Sequence, residues 1–117
     1  MSFEKSRQLH ERSARSLAGG GSSNVRLGEK PTPLFFERGE GSHLLDVDGN
    51  DYVDYMLGQG PDIFGHSPRF AIDAVTQAMQ KGITYAGQHE TEIRVSEMIQ
   101  TIIPGAELVR YASSGTE

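Results

Sequence analysis

Three short apolar runs follow one another between residues 34 and 55, and a glycine-containing turn separates each run from the next. The runs are LFFER, HLLDV and DYVDY, with turns at Gly39-Glu40-Gly41 and Asp48-Gly49-Asn50. Each run is too short for a stable helix, and Gly49 suits a tight turn because glycine takes positive φ without a steric penalty. The pattern therefore predicts a small meander of strands.

Two amphipathic segments after the meander are typical of helices. In the first, Ser67 is a good N-cap, Pro68 suits the first helical position, and apolar residues recur at helical spacing up to Gly82. The second begins at about Glu90 and closes at Pro104-Gly105. Its apolar face comprises Val95, Met98, Ile99, Ile102 and Ile103. Beyond it, ELVRYA is typical of a buried strand and SSGTE of the turn that follows one.

The amino-terminal residues have a weaker pattern. Residues 3–17 contain good helix formers but few apolar side chains, which predicts a weakly amphipathic helix that needs a partner surface. The segment from Gly19 to Ser23 ends that helix, and we expect a loop of about 15 residues up to Pro33. Loops of this length are usually functional or disordered.

The final predicted strand, ELVRYA, has no predicted neighbour. A lone strand leaves its backbone donors and acceptors unpaired, which costs free energy in any interior. We therefore expect that these residues are the amino-terminal piece of a longer protein, or that neighbouring chains complete them.

Length and composition exclude several classes of protein. The chain has 117 residues, which fits one domain at most, and no apolar run approaches the roughly 20 residues that a membrane helix needs. The polar start MSFEKSRQLHERSARS does not resemble a signal peptide. Cysteine is absent, so disulfides, thiolate zinc sites and a cysteine nucleophile are excluded. We predict a soluble, cytoplasmic protein.

The charges are unevenly distributed along the chain. Residues 1–30 carry six Lys/Arg and three Asp/Glu, a net charge of +3, whereas residues 31–117 carry five and thirteen, a net charge of −8. The amino-terminal cations alternate with glutamates and no aromatic side chain lies among them, so a solvated helix explains them better than a nucleic-acid-binding arm. We predict no nucleic-acid partner and no membrane partner.

The segment DVDGND, residues 46–51, invites comparison with a calcium loop. The register is wrong, because Asp51 stands where the loop needs glycine and Leu57 where it needs a bidentate glutamate. A hairpin turn with solvated carboxylates is the favoured interpretation. The histidines His43, His66 and His89 are too dispersed for a helical metal pair, so we interpret them as satisfied or surface imidazoles and predict no metal site.

Two segments have the chemistry of anion sites. Ser113-Ser114-Gly115-Thr116 follows the predicted strand ELVRYA, and such a turn offers backbone N–H groups and hydroxyls to a phosphate, although an ordinary strand-to-helix turn uses the same residues. The glycine-rich loop that ends in Ser23-Asn24-Val25-Arg26 has one arginine, which either clamps a carboxylate or is simply solvated.

Three motifs in order resemble the class III pyridoxal-phosphate aminotransferases, near the glutamate-1-semialdehyde aminomutase branch. LLDVDGNDYVDY resembles the family's strand-turn-strand signature, GPDIFGHSP its Gly-Pro and Gly-His segment, and SSGTE its cofactor-phosphate turn. The resemblance implies an α/β protein, α+β in its amino-terminal part, of fold type I. Residues 1–33 would form the amino-terminal helix and substrate loop, 34–66 the small-domain meander, and 67–117 the start of the large, cofactor-binding domain.

The resemblance also implies site residues and partners. Ser114, Gly115 and Thr116 match the turn that binds the phosphate of pyridoxal 5′-phosphate, while Arg26, with Ser23, matches the loop that binds a substrate carboxylate. The family's Schiff-base lysine, its pyridine-nitrogen aspartate and its ring-stacking aromatic residue lie beyond Glu117, so no catalytic residue is predicted within the chain. An amino-acid or keto-acid substrate and a homodimer are implied.

Gln59 stands where the aminomutase pattern commonly has tryptophan, and Ser67-Pro68-Arg69 replaces its usual Ala-His-Pro. Gln59 would give a smaller, more polar wall beside the substrate. Transaminase, aminomutase and racemase therefore remain alternatives. A catalytically inert fragment or a small anion-binding module is the alternative from another class.

Overall fold

The computed structural model describes all residues, 1–117, as two compact units, Met1–Thr76 and Gln77–Glu117. Four α-helices and three strands are present. The helices are α1 (Glu4–Ser13), α2 (Asn24–Leu27), α3 (Arg69–Met79) and α4 (Glu90–Ile102). The strands are β1 (Phe36–Glu40), β2 (His43–Asp46) and β3 (Asp51–Val53), and two single 3₁₀ turns lie at Ala18–Gly20 and Leu57–Gln59. The three-part division of the chain expected above stays a prediction.

The predicted meander is confirmed. Strands β1, β2 and β3 pair antiparallel in chain order. Gly41 and Gly49, at the two turns, have φ of 55° and 85°, the left-handed region that glycine enters at little cost. A register shift between Phe36 and Arg38 marks a bulge in β1. The sheet is the scaffold of the first unit.

The turn between β2 and β3 is built on a buried carboxylate, so the expectation that its carboxylates are solvated is wrong for Asp46. Asp46 is completely buried. It accepts hydrogen bonds from the backbone N–H of Asp48 (2.9 Å) and Asn50 (2.8 Å), from Asn50 Nδ2 (2.8 Å) and from the Tyr52 hydroxyl (2.8 Å). These four donors satisfy the carboxylate and define the shape of the turn.

Asp48 attaches helix α1 to this turn. Its carboxylate accepts hydrogen bonds from Lys5 N (2.8 Å), Ser6 N (2.9 Å) and Ser6 Oγ (2.7 Å), all in the first turn of α1. A carboxylate at a helix N-terminus satisfies orphan N–H groups and complements the helix dipole. The predicted helix is confirmed but ends at Ser13, and its partner surface is the β2–β3 turn.

The segment from residue 18 to 27 is not the continuous loop expected from its glycines. A 3₁₀ turn at Ala18–Gly20 and the one-turn helix α2 shape it, and Gly19 and Gly20 have φ of 69° and 83°. A Cβ atom added to Gly21 would lie 2.8 Å from Leu27 Cδ2, so this glycine allows the chain to approach α2. The loop is therefore folded on itself.

Helix α3 is confirmed, but the predicted N-cap role of Ser67 is wrong. Ser67 has φ of +56°, outside the extended region that an N-cap residue normally occupies. Its hydroxyl donates instead to the carbonyl of Gly39 in β1, at 2.8 Å. Ser67 thus ties the start of α3 to the sheet.

In the second unit, α4 is confirmed and the predicted strand ELVRYA is not formed. His89 caps α4, since its Nδ1 accepts from Thr91 N at 3.2 Å. Residues 107–112 form no β-ladder, because a strand exists only where a neighbouring segment pairs with it and none does here. The expected turn at SSGTE is present as bends and a turn.

The apolar surface of the chain is unusually exposed. No apolar residue is buried, and the accessible surface is 9839 Å². A folded monomer of this mass exposes about 6,300 Å² by the usual scaling. Phe70 in α3 is 63% exposed, and Ile102 in α4 is 69% exposed. None of the helices has the length and apolar character required to span a bilayer.

We predict that the isolated chain of 117 residues does not fold cooperatively as a monomer. Each 100 Å² of apolar surface left in water forgoes about 2.5 kcal/mol, against a usual stability of only about 5 to 15 kcal/mol. Calorimetry and sedimentation of the isolated chain check this. A sharp two-state thermal transition of a monomeric species would contradict the prediction.

Candidate functional site

A cavity of about 660 Å³ lies in the first unit, and all three residues predicted to bind substrate line it: Ser23, Arg26 and Gln59. This size is in the range of small-molecule sites. Much of the wall is apolar and is contributed by Leu17, Val25, Leu27, Pro33, Leu34, Phe35, Phe36, Leu44 and Met56. The cavity therefore combines an apolar wall with a few polar groups, the usual composition of a ligand pocket.

Helix α2 brings Arg26 to the cavity. Ser23 precedes the helix in extended conformation (φ −152°, ψ 122°), and its carbonyl accepts from Leu27 N at 3.2 Å. The side chain of Arg26 is exposed and takes part in no ion pair. The neighbouring Glu29 is occupied, because its carboxylate accepts from Leu34 N at 2.9 Å. The guanidinium of Arg26 is therefore a cation on this wall that has no ion-pair partner.

Gln59 reaches the cavity from a left-handed turn. Leu57, Gly58, Gln59 and Gly60 have φ of 49°, 61°, 70° and 112° in succession. Left-handed conformations are costly for residues other than glycine and persist only where their surroundings impose them. The carboxylate of Asp54 supplies such a restraint, since its Oδ1 accepts from Met56 N (2.7 Å) and Leu57 N (3.1 Å).

A charged cluster that the sequence did not reveal joins the two ends of this segment. His66 Nε2 lies 2.8 Å from Asp54 Oδ2, and His66 Nδ1 lies 2.8 Å from Asp62 Oδ2. The exposed fractions of the side chains are 4% for Asp54, 19% for His66 and 33% for Asp62. Asp54 and His66 also line the cavity. Asp62 and His66 are four residues apart, a spacing that indicates contact only on a helix, and this segment is not helical.

The pKa of Asp54 lies below its ordinary value, first of all because of the hydrogen bond from His66. Ligand atoms of Asp54, Asp62 and His66 lie within 4.8 Å of one another, a spacing that a metal ion also uses. Each ring nitrogen, however, already faces its own carboxylate at hydrogen-bonding distance. We therefore treat the three residues as a hydrogen-bonded cluster. The other two histidines considered above agree with the expected satisfied or surface imidazoles: His43 pairs with Asp51 at the surface and His89 caps α4.

The turn at residues 113–117, in the second unit, holds a carboxylate. Ser113 N (3.1 Å) and Ser114 Oγ (2.8 Å) both donate to Oε2 of Glu117. A Cβ atom added to Gly115 would meet nothing within 4 Å, so the turn is open on that side. Donors that converge on one oxyanion oxygen suit a phosphate such as that of pyridoxal 5′-phosphate, and Ser114 is the residue of the predicted cofactor turn that is among them.

The chain belongs to the class III aminotransferase family, whose family model matches residues 25–117. Two curated relatives are glutamate-1-semialdehyde 2,1-aminomutases. The protein of Haloarcula marismortui is 39% identical over 118 residues, which are 100% of this chain and 26% of the relative. Aminomutase 2 of Lachnoclostridium phytofermentans is 43% identical over 115 residues, 97% of this chain and 27% of the relative. The chain thus spans about a quarter of the length of these relatives.

Solved structures agree with the family. A transaminase with PLP bound superposes with a TM-score of 0.91 at 28% identity, over 99% of this chain and 27% of that one. The β-phenylalanine aminotransferase of Variovorax paradoxus gives 0.89 at 37% identity, over 97% of this chain and 26% of that one. The expected α/β class and fold type I are confirmed. Pyridoxal 5′-phosphate is the cofactor of the family, as the resemblance implied.

We predict that the free energy of unfolding falls at both acid and alkaline pH because of the hydrogen-bonded pair Asp46 and Tyr52. Burial alone raises the pKa of Asp46, but the hydrogen bonds from Asn50 and Tyr52 outweigh it, and the net pKa lies below the ordinary 3.8. This contribution is present above pH 3.8 and is lost as the pH falls through the lower, folded-state value. Burial, then the bond to Asp46, raises the pKa of Tyr52 from 10.0 to about 12.

The contribution of Tyr52 is therefore complete below pH 10.0 and is lost as the pH rises toward about 12. Urea unfolding of a full-length protein that carries this chain, measured across pH, should show both losses. Tyr52→Phe should shrink the alkaline loss, whereas Tyr55→Phe, at a side chain that is 89% exposed, should not. If the phenolate absorbance of Tyr52 rose at the ordinary pKa of 10.0, the prediction would be wrong.

Proposed function

We propose that this chain is the amino-terminal part of a pyridoxal-phosphate-dependent aminotransferase or aminomutase that moves an amino group on an amino-acid or keto-acid substrate. The main support is the cavity that brings Ser23, Arg26 and Gln59 together within one unit. Family membership supports the reaction class. No residue of the chain is proposed as catalytic.

Arg26 is proposed to bind the substrate carboxylate. Its guanidinium lies on the cavity wall without an ion-pair partner, and a planar guanidinium binds a carboxylate through two parallel hydrogen bonds. Two bonds fix orientation as well as position, so the substrate amino group would be held in one direction relative to the cofactor. The hydroxyl of Ser23 lies on the same wall and is proposed as a second donor.

The apolar part of the wall favours a transaminase of amino acids with apolar side chains over an aminomutase. Leu17, Phe35 and Met56 are among the residues that would contact such a side chain. The relative from Variovorax paradoxus is a β-phenylalanine aminotransferase, whose substrate carries an aryl group. Gln59 adds one amide donor and acceptor to this wall. The aminomutase activity of the curated relatives is the second candidate.

The turn at Ser114, Gly115 and Thr116 is proposed to hold the cofactor phosphate. When bound, pyridoxal phosphate supplies an electron-withdrawing ring that makes the Cα–H of an attached amine acidic. The residues of the turn do no chemistry in this proposal. They anchor an anion with backbone and hydroxyl donors, in the way Ser113 N and Ser114 Oγ hold the carboxylate of Glu117.

A homodimer in the cytoplasm is proposed for the full-length protein. The 9839 Å² of accessible surface and the absence of any buried apolar residue support this proposal, because apolar faces are stabilised when further protein covers them. The alternative, an inert fragment or anion-binding module, predicts no amino transfer at all. A coupled assay for amino transfer by the full-length protein, together with the visible absorbance of bound cofactor, separates the two.

We predict that Arg26→Ala in the full-length protein lowers kcat/KM by about 10- to 100-fold. The change removes a charge-assisted contact worth roughly 1.5 to 3 kcal/mol, and about 1.4 kcal/mol corresponds to a factor of ten. Arg26→Lys should recover only part of the loss, because an ammonium lacks the planar fork. Steady-state kinetics with an amino acid and with the matching amine that lacks the carboxylate measure the effect.

The control for Arg26→Ala is Arg12→Ala, an exposed arginine on α1 that does not line the cavity. It should leave kcat/KM unchanged. If Arg26→Ala had the same kcat/KM toward carboxylate substrates as the unmodified protein, the prediction would be wrong. Arg26 would then be interpreted as a solvated loop residue.

A separate prediction concerns the cofactor turn. Ser114→Ala and Thr116→Val should weaken cofactor binding by about tenfold each, since each removes one hydroxyl donor to an anion. Titration of the cofactor-free full-length protein, followed by absorbance, gives the Kd. Ser96→Ala is the matched control, because its hydroxyl donates only to the carbonyl of Ile93 within α4. Unchanged affinity in both turn variants would contradict the assignment of the phosphate.

A further inference from the structure

The segment from Asp54 to His66 leaves the sheet and returns to it, and the cluster of Asp54, His66 and Asp62 closes it. At the return point His66 N donates to Gly41 O (2.7 Å), and Gly41 N donates to His66 O (3.0 Å). Between the two ends, Asp62 N donates to Leu57 O at 3.1 Å. The segment is therefore held to the sheet by a backbone bridge and to itself by the charged cluster.

This segment forms one wall of the cavity. Met56, Gly58 and Gln59 line the cavity from it, and the side chain of Gln59 makes no hydrogen bond of its own to the protein. The position of the Gln59 side chain is consequently determined by the backbone. The backbone of residues 57–60 is left-handed, a strained conformation that persists only where other contacts hold it.

We infer that His66, held between Asp54 and Asp62, is a positioning residue that keeps the wall carrying Gln59 in its substrate-binding place. The inference rests on the proposed function, because it assumes that the cavity binds the substrate. His66 lines the cavity but takes no part in the reaction in this scheme. It acts through Asp54, which holds Met56 N and Leu57 N at the base of the left-handed turn.

The charge on the ring matters to this role. Both ring nitrogens face carboxylate oxygens at 2.8 Å, and both can donate only when the imidazole is protonated. Loss of the proton leaves one of the two carboxylates without its donor. No other charged group faces the ring from β1, because Arg38 and Glu40 alternate with Gly39 and line a separate pocket with His43 and Asp51.

Gly39 shows how closely the ring is fitted to the sheet. A Cβ atom added there would lie 2.5 Å from Cγ and 2.7 Å from Cβ of His66. Gly39→Ala therefore displaces the ring without changing any charge. This variant tests whether the position of His66, and not only its charge, supports the wall.

The experiment compares His66→Gln, Asp62→Asn and Gly39→Ala in the full-length protein. We expect KM for the amino-acid substrate to rise about tenfold or more in each, with kcat changed much less, because substrate binding is lost while the reacting groups are intact. The matched control is His43→Gln, which breaks the exposed pair with Asp51 outside the cavity and should change neither constant.

Hydrogen exchange gives a readout that does not depend on activity. In the variants, the amides of Met56, Leu57, Gln59 and Gly60 should exchange about tenfold or more faster, while those of the β2–β3 ladder keep their rates.

Unchanged KM and unchanged exchange at residues 56–60 in a folded His66→Gln protein would overturn the inference. If His66→Gln does not fold, Asp62→Asn decides, because Asp62 is one-third exposed and its loss is milder. Faster exchange there supports the inference, and unaltered exchange refutes it. If the unmodified protein transfers no amino group, the proposed function fails, while the exchange data still decide whether His66 holds the segment.

Discussion

The first unit depends on one buried carboxylate, that of Asp46. A completely buried anion without a cation is tolerated only when donors satisfy it, and Asp46 receives four hydrogen bonds from its own turn. These bonds present Asp48 to the N-terminus of α1. Helix α1 leads through Ser13 to Leu17, and both residues line the cavity. A polar network in a β-turn thus positions a wall of the candidate site.

A second wall of the cavity depends on another carboxylate, that of Asp54. Strand β3 ends beside it, and the left-handed turn that follows has no apolar core of its own to hold it. Asp54 combines two backbone donors with the imidazole of His66, so one nearly buried side chain compensates the backbone strain and joins the ends of the segment. In both walls, therefore, hydrogen-bonded carboxylates provide the rigidity that apolar packing usually supplies.

The meander and the long helices could be predicted because their signals are local. Apolar periodicity defined α3 and α4, and glycine positions defined the turns around β2. Burial of Asp46 and pairing of His66 could not be predicted, since an aspartate in a turn has the same local pattern whether solvated or enclosed. ELVRYA has strand composition but no ladder, because pairing is a property of two segments. Ser67 was assigned to the wrong partner for the same reason: Gly39, which accepts its hydroxyl, is distant in sequence.

The turn at residues 113–117 and the cavity differ in how far the chain itself arranges their polar groups. At residues 113–117 two donors already converge on an oxyanion, the carboxylate of Glu117. In the proposed role a phosphate would replace this carboxylate, because it offers more acceptor oxygens and more charge. Arg26 has no such internal occupant. In the proposed role its side chain would lose rotamer freedom on binding a carboxylate, and part of the free energy of that contact would be offset by ordering the guanidinium.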